Sequence, residues 1–469
     1  MAILTVIQDG KIEKIKFEGT QKLSTLIGMS DAHISQPCGG QGVCKKCTVY
    51  INGKQELACK YIVNSDTTVV LPKKEEIVSV IGMGETNTIT ENVCLCLDIG
   101  TTTLALALVS KDAKNIIKYI TDVNTQRKFG ADVISRIKYC AENGIDNLNI
   151  CLINKLKEMI NKLLEELEIN YIEEMFVSGN TTMLHLFFGI DCSSLGISPY
   201  KPQFIEKKIC SGGNLGFYNI GRIESLPGIS AFIGADIVAG LGYVGEELSD
   251  SGYSLLVDLG TNAEIVLFGK NKYYATSAAA GPCFEGANIS CGMSASEGAI
   301  YSYSDGKYNV IGNKEPIGIC ATGLIDIISE LIKKNIIDES GYMDDDFEIT
   351  KNVKLTTKDI REFQLAKSAV ISAIKCLIKF ADITFDDIEN MYVAGGFSDK
   401  LDVKNATHLG LFPEELMGKF RAVNNTSLLG TVKYSYEHNN LDKIAQQSEY
   451  VDLGKDETFS EMFFENMSF

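Results

Sequence analysis

Two segments of this 469-residue chain repeat one design, and that repetition limits the fold more than any other feature of the sequence. Residues 93–109, VCLCLDIGTTTLALALV, read as a buried strand, a tight turn and a second strand. Residues 253–268, YSLLVDLGTNAEIVLF, read the same way. Each copy is followed by another apolar strand ending in small residues, MFVSGNTT at 175–182 and MYVAGGFS at 391–398. Amphipathic helices precede those strands, near 148–167 and 365–380, with apolar residues at three- and four-residue steps. Two such α/β halves make a cleft. The first half is expected over 93–250, and the second, with a C-terminal tail, over 251–469.

The residues of each turn carry phosphate chemistry. Asp98 ends a strand, Gly100 lets the backbone bend, and Thr101, Thr102 and Thr103 offer N–H and hydroxyl donors. Asp258, Gly260, Thr261 and Asn262 repeat this from the opposite wall. Facing turns of this kind hold a triphosphate through backbone donors, while the two carboxylates hold Mg²⁺ through its waters. Gly395 and Gly396 let a base and ribose lie against main chain. One DxGT turn is common to many strand-turn-strand units, but here two occur in order with AGGF after the second. The pattern resembles the acetate and sugar kinase, heat-shock chaperone and actin superfamily, matching its phosphate motifs at 98–103 and 258–262 and its adenosine motif at 393–397. That resemblance implies a duplicated actin-like (ribonuclease H-like) ATPase core, with GADIVAG at 234–240 as its first connecting helix. It also implies Asp236 as the acid facing the γ-phosphate, the alternative being a charge that complements its helix dipole. Glu285, in PCFEG, is expected to approach the ribose.

Fourteen cysteines are many for one chain, and four of them lie together at the N-terminal end. Cys38, Cys44 and Cys47 are spaced C-x5-C-x2-C, and Cys59 follows after eleven residues. Three thiolates in a Gly-rich loop plus a remote fourth suit a 2Fe–2S cluster, because the loop must turn sharply with its N–H groups toward sulfur. A zinc ribbon is the alternative, and it would normally bring two CxxC pairs where this site has one. Around the loop, strands at 1–8 and 11–17 form a hairpin on Asp9-Gly10, a helix follows at 23–29, and short strands come at 48–51 and 69–71. That is the order of a β-grasp, and the spacing is similar to plant-type and adrenodoxin-type ferredoxins. The α+β ferredoxin domain is expected over 1–82, with a polar linker at 83–92. The other ten cysteines are scattered and read as small buried hydrophobes, as His185 in MLHLFF reads as a core histidine.

Composition removes several function classes. With 44 basic and 61 acidic residues the formal net charge is −17, which disfavours general nucleic-acid binding. The chain has no long apolar run and no basic-then-apolar leader, so a cytoplasmic protein without membrane spans is expected. No GxGxxG follows a strand, which sets aside a dinucleotide-dependent reductase.

A ferredoxin joined to this core narrows the field further. NTQRKFGADVISRI at 124–137, VSGNTTMLHLFFGI at 177–190 and SAAAGPCFEGANISCGM at 277–293 look like reductive activators of corrinoid proteins. The likeness implies ATP-driven transfer of one electron from the 2Fe–2S cluster to cob(II)amide, an upstream electron donor, a corrinoid protein of a methyltransferase system as partner, and a homodimer. The linker departs from the family pattern in being only about ten residues, which limits how far the cluster can swing. Two other readings stay open. One is an ATP-driven donor to a different low-potential acceptor, of the 2-hydroxyacyl-CoA dehydratase type. The other is a non-catalytic, nucleotide-gated redox sensor.

Overall fold

The computed structural model describes residues 1–30, 32, 34, 47–72, 92–245, 252–269, 271–396 and 398–469. Cys38, Cys44, Phe397 and the expected linker up to residue 91 lie outside them.

The N-terminal hairpin pairs Ala2–Gln8 with Lys11–Phe17, and both turn residues, Asp9 and Gly10, take positive φ (50° and 78°). That geometry matches the twist of the flanking strands. Thr67–Val70 then lies parallel to the first strand and antiparallel to Thr48–Ile51, which also pairs with Lys54–Leu57. The helix Leu23–Ile27 buries Leu23, Leu26 and Ile27. Strand order and helix together make a β-grasp arrangement. The helix stops two residues short of the expected end because Met29 N–H bonds the carbonyl of Leu26, closing the last turn tightly.

Each half of the remaining chain is a six-stranded sheet. In the first, Asn115–Val123, Thr103–Ser110 and Val93–Ile99 are antiparallel neighbours, and Ile172–Gly179 runs parallel to the last of these. In the second, Lys272–Ala278, Ala263–Gly269 and Tyr253–Leu259 repeat that meander, with Ile388–Ala394 as the parallel neighbour. Even the register repeats: Asp98 stands opposite Ser178, and Asp258 opposite Ala394. The strands Val93–Ile99 and Thr103–Ser110 are buried almost throughout, which is why they read as unbroken apolar runs instead of alternating.

Long helices precede each parallel strand, Asp146–Glu166 and Thr357–Phe380. The second begins eight residues before the expected 365, because Thr356 and Asp359 form a reciprocal capping box that fixes its N-terminus. Between the halves, the helices Ala235–Val244 and Thr426–Glu437 cross at small residues. A Cβ on Gly430 would sit 1.9 Å from the carbonyl oxygen of Ala239. The N-terminal domain touches the core where Lys128 Nζ donates to the carbonyl of Gly28 at 3.2 Å. Among the described residues, no helix is long and apolar enough to cross a membrane.

Candidate active site between the two halves

The two expected phosphate turns face one another. In the first, Gly100 N–H donates to the carbonyl of Thr103 at 3.0 Å, and a Cβ on Gly100 would lie 2.5 Å from that same oxygen. In the second, Gly260 N–H donates to the carbonyl of Asn262 at 2.9 Å. Glu285 joins them: Thr261 Oγ1 donates to one of its oxygens at 2.6 Å and Thr102 Oγ1 to the other at 3.4 Å. Asn180 Nδ2 donates to Thr101 Oγ1 at 3.1 Å from the loop that caps the helix Thr181–Phe188.

Behind the turns the carboxylates gather. Asp98 is buried and accepts from Asn425 Nδ2 and Ser427 Oγ, both at 2.7 Å. Burial raises its pKa, and those two bonds pull against the rise. Asp236 occupies the first turn of the helix Ala235–Val244. Burial and then the charges of Asp98 and Asp258 push it up to about 7. Asp258 is pushed up to about 6 by burial and by Asp98. Glu264, on the adjoining strand, is also raised, by burial, Asp236 and Asp258. Burial is the first cause in each case, and Asp258 and Glu264 stand directly opposite one another across their two strands. Among the described residues, no three of these acids come close enough together to ligate a metal ion directly, so a cation between them would be met through its waters.

Gly395 lies beside the second turn with φ 112°, and a Cβ there would meet the carbonyl of Leu259 at 2.7 Å. Gly179, with φ 155°, approaches the carbonyl of Ile99 in the same way, so the duplication extends to both strand ends. Gly396 is exposed, and a Cβ there would meet nothing within 4 Å, leaving room above it.

The cleft therefore brings together the sequence-derived residues Asp98, Asp236, Asp258, Thr102, Thr261 and Glu285. Cys47 and Cys59 stand apart, buried in the N-terminal domain. Sequence reasoning missed Glu264, whose signal was a lone acid inside the apolar run AEIVLF. It also missed Asn425 and Ser427, which precede or begin a helix that carries no motif. His185 is a satisfied core histidine: its Nδ1 bonds the carbonyl of Thr181 at 2.7 Å, and its Nε2 accepts from Gln203 N–H at 3.0 Å.

The duplicated sheets, crossing helices and facing turns define an ASKHA-type, actin-like ATPase core. Comparison with known proteins agrees. Residues 252–469 match the family described as the C-terminal domain of RACo, the ASKHA domain, and residues 93–247 match the RACo middle region. These are consecutive parts of one family, and the chain belongs to it. The corrinoid activation enzyme RamQ of Eubacterium limosum is 29% identical over 418 residues, covering 80% of this chain and 70% of that protein. The [Co(II) methylated amine-specific corrinoid protein] reductase of Methanosarcina barkeri is 24% identical over 418 residues, covering 80% and 76%. A solved reductive activator for corrinoid, iron-sulfur protein shares the fold, with a TM-score of 0.73 at 24% identity over 99% of this chain and 98% of that one.

Proposed function

We propose that this protein is an ATP-dependent reductive activator, passing one electron from a 2Fe–2S cluster to the cob(II)amide of a corrinoid protein and so restoring cob(I)amide for methyl transfer. The observation that carries the reading is the pair of facing donor turns joined by Glu285, with Asp98 held by hydrogen bonds from Asn425 and Ser427 behind the first. Relatives named for corrinoid activation and corrinoid-protein reduction support it.

Each residue of the cleft has a role in this reading. The turns Gly100–Thr103 and Gly260–Asn262 hold the triphosphate through N–H and hydroxyl donors. Asp98 and Asp258 would hold Mg²⁺ through its waters. Asp236, in the first turn of the helix Ala235–Val244, would take the proton from the attacking water. Gly395 and Gly396 offer bare main chain to the base and ribose, and Glu285 keeps the two turns in register.

Cys38, Cys44, Cys47 and Cys59 would hold the cluster, which when bound supplies one-electron transfer. Two of them are described and suit the task. Cys47 and Cys59 are both buried, and the Ala58 N–H bond to the Cys47 carbonyl at 2.9 Å sets their chain segments side by side. Two-iron clusters of the plant type sit at roughly −400 mV, so reducing cob(II)amide is uphill. ATP does not change a potential by itself. Closure of the two halves about the helices Ala235–Val244 and Thr426–Glu437 gives the chain a two-state element through which nucleotide favours the productive complex.

The test is a visible spectrum of anaerobic protein mixed with a reductant and a cob(II)amide-loaded corrinoid protein, with and without MgATP. Growth of the cob(I)amide band only with MgATP is expected. A reduced cluster with no ATP-linked change at cobalt, across several such partners, would overturn the reading.

A further inference from the structure

Arg136, on the helix Val133–Asn143, is wholly buried, and the proposed chemistry leaves it unused. Its guanidinium donates to the carbonyls of Thr101 at 2.6 Å and Gly130 at 2.9 Å, to Gln126 Oε1 at 3.2 Å and to Met183 Sδ at 3.1 Å. Among the described residues no carboxylate forms an ion pair with it. Burying a charge without a paired counterion is costly, so its carbonyl contacts must justify the position. Burial draws its pKa down to about 9, which still leaves it charged at neutral pH.

Asn124 acts on the same turn. Its side-chain amide donates to the carbonyl of Gly100 at 2.9 Å, and its backbone N–H donates to the carbonyl of Thr102 at 2.9 Å. Three successive carbonyls, those of Gly100, Thr101 and Thr102, are thus tied to the one segment 124–136. A trans peptide is planar, so fixing a C=O in one direction sends the following N–H in the opposite one. The N–H groups of Thr101 and Thr102 therefore point away from the segment. Neither donates to a protein acceptor among the described residues. The Thr102 hydroxyl reaches Glu285, which places the second turn on its open side.

We infer that Arg136 is a positioning residue for the phosphates of a bound nucleotide, fixing the Thr101 carbonyl so that the Thr102 N–H is aimed into the cleft before the nucleotide arrives. Donors set in advance cost no reorganisation when the anion binds. The inference rests on the cleft being the nucleotide site. A purely structural arginine, tying the Gly130 loop to the turn, would alter stability without selectively altering nucleotide affinity.

The experiment compares full-length wild type, Arg136→Met and Arg136→Lys. MgADP affinity is measured by calorimetry, KM and kcat for MgATP by steady-state kinetics, and amide exchange at 100–103 without nucleotide. In Arg136→Met, MgADP affinity is expected to fall roughly 10- to 100-fold, as misplaced contacts do, with KM rising more than kcat falls and faster exchange at the turn. Arg136→Lys should lose less but should not match wild type, because one ammonium cannot hold the Thr101 and Gly130 carbonyls together. Wild-type affinity in both variants would overturn the inference. If Arg136→Met does not fold, Arg136→Lys decides alone, and wild-type affinity there has the same meaning. Wild-type protein that binds no MgADP would instead remove the nucleotide reading of the cleft.

Discussion

Ser427 donates its hydroxyl to Asp98 Oδ1 at 2.7 Å, across 329 positions of sequence. The bond joins the first turn of one crossing helix to the acid one residue before the end of the first strand of the core. With Asn425 on the other oxygen, it favours the ionised form of Asp98 against a burial that opposes it. Ser427→Ala is expected to leave Asp98 under-bonded, costing about 1–3 kcal/mol of stability. ATP hydrolysis should fall by roughly one to two powers of ten, in keeping with loss of one preorganised contact. Steady-state hydrolysis and denaturant melts check both; an unchanged kcat would show that Asp98 does not depend on this support.

The acid enclosure makes the nucleotide-free protein sensitive to rising pH. Asp236 and Asp258 are raised from 3.8 to about 7 and about 6. Between those values the folded state binds more protons than the unfolded one, so stability falls as pH rises through the window. Asp236→Asn should therefore stabilise the nucleotide-free protein near pH 8, by about 0.5–2 kcal/mol, while abolishing hydrolysis. Melting temperatures at pH 5.5 and 8, with hydrolysis assays alongside, test the trade. A destabilised variant at pH 8 would mean that the Asp236 carboxylate carries no such penalty in the folded protein.

His185 produces the opposite slope. Burial lowers its pKa below 6.5, so the unfolded state binds more protons between the folded value and 6.5. Its contribution is complete above pH 6.5 and is lost as pH falls through the folded value. Protonation of Nε2 would also break the bond it accepts from Gln203 N–H. His185→Gln should be less stable than wild type at pH 7.5, with a smaller further loss on moving to pH 5.5. Parallel losses in the two proteins would exclude His185 as the titrating group.

What the sequence made legible follows the length scale of each signal. Both turns, their strands and the preceding helices announce themselves through unbroken apolar runs and 3.6-residue periodicity, and the register match of Asp98 with Ser178 and Asp258 with Ala394 completes the duplication. Contacts made across long separations left little trace. Ser427 and Asn425 lie in NNTSLLGT, whose Ser, Thr and Gly suggest a loop more than a helix, yet Thr426–Glu437 is almost fully buried because tertiary packing overrides weak propensity. Arg136 likewise looks like an ordinary surface arginine in ISRIK until the fold sets it behind the Thr101 carbonyl. Glu264 was in plain sight: the hairpin sets it directly opposite Asp258, and only its link to Asp236, on the helix Ala235–Val244, needed the fold.

The crossing of the two helices sets the distance between the acids and their supports. Gly430 faces the Ala239 carbonyl so closely that a Cβ would lie 1.9 Å from the oxygen and 2.4 Å from its carbon. Both are backbone atoms, so neither a rotamer change nor a side-chain shift can make room. Gly430→Ala must push the helices apart, at a cost of about 1–3 kcal/mol for overpacking, and more if the backbone cannot follow. Higher intrinsic helix propensity of alanine returns only about 1 kcal/mol, so the net sign stays destabilising. The consequence reaches the cleft, because Asp236 and Ser427 each occupy the first turn of one of these helices. Separation should move Ser427 off Asp98 and lower kcat for ATP hydrolysis beyond what the loss of folded protein explains. Gly245→Ala is the matched control: a Cβ there meets nothing within 4 Å, and its φ of −74° suits alanine. That variant should stay within about 0.5 kcal/mol of wild type with unchanged kcat. Equal melting temperatures for the two variants would mean that the helices slide freely at this crossing, and the hinge would have to be sought elsewhere.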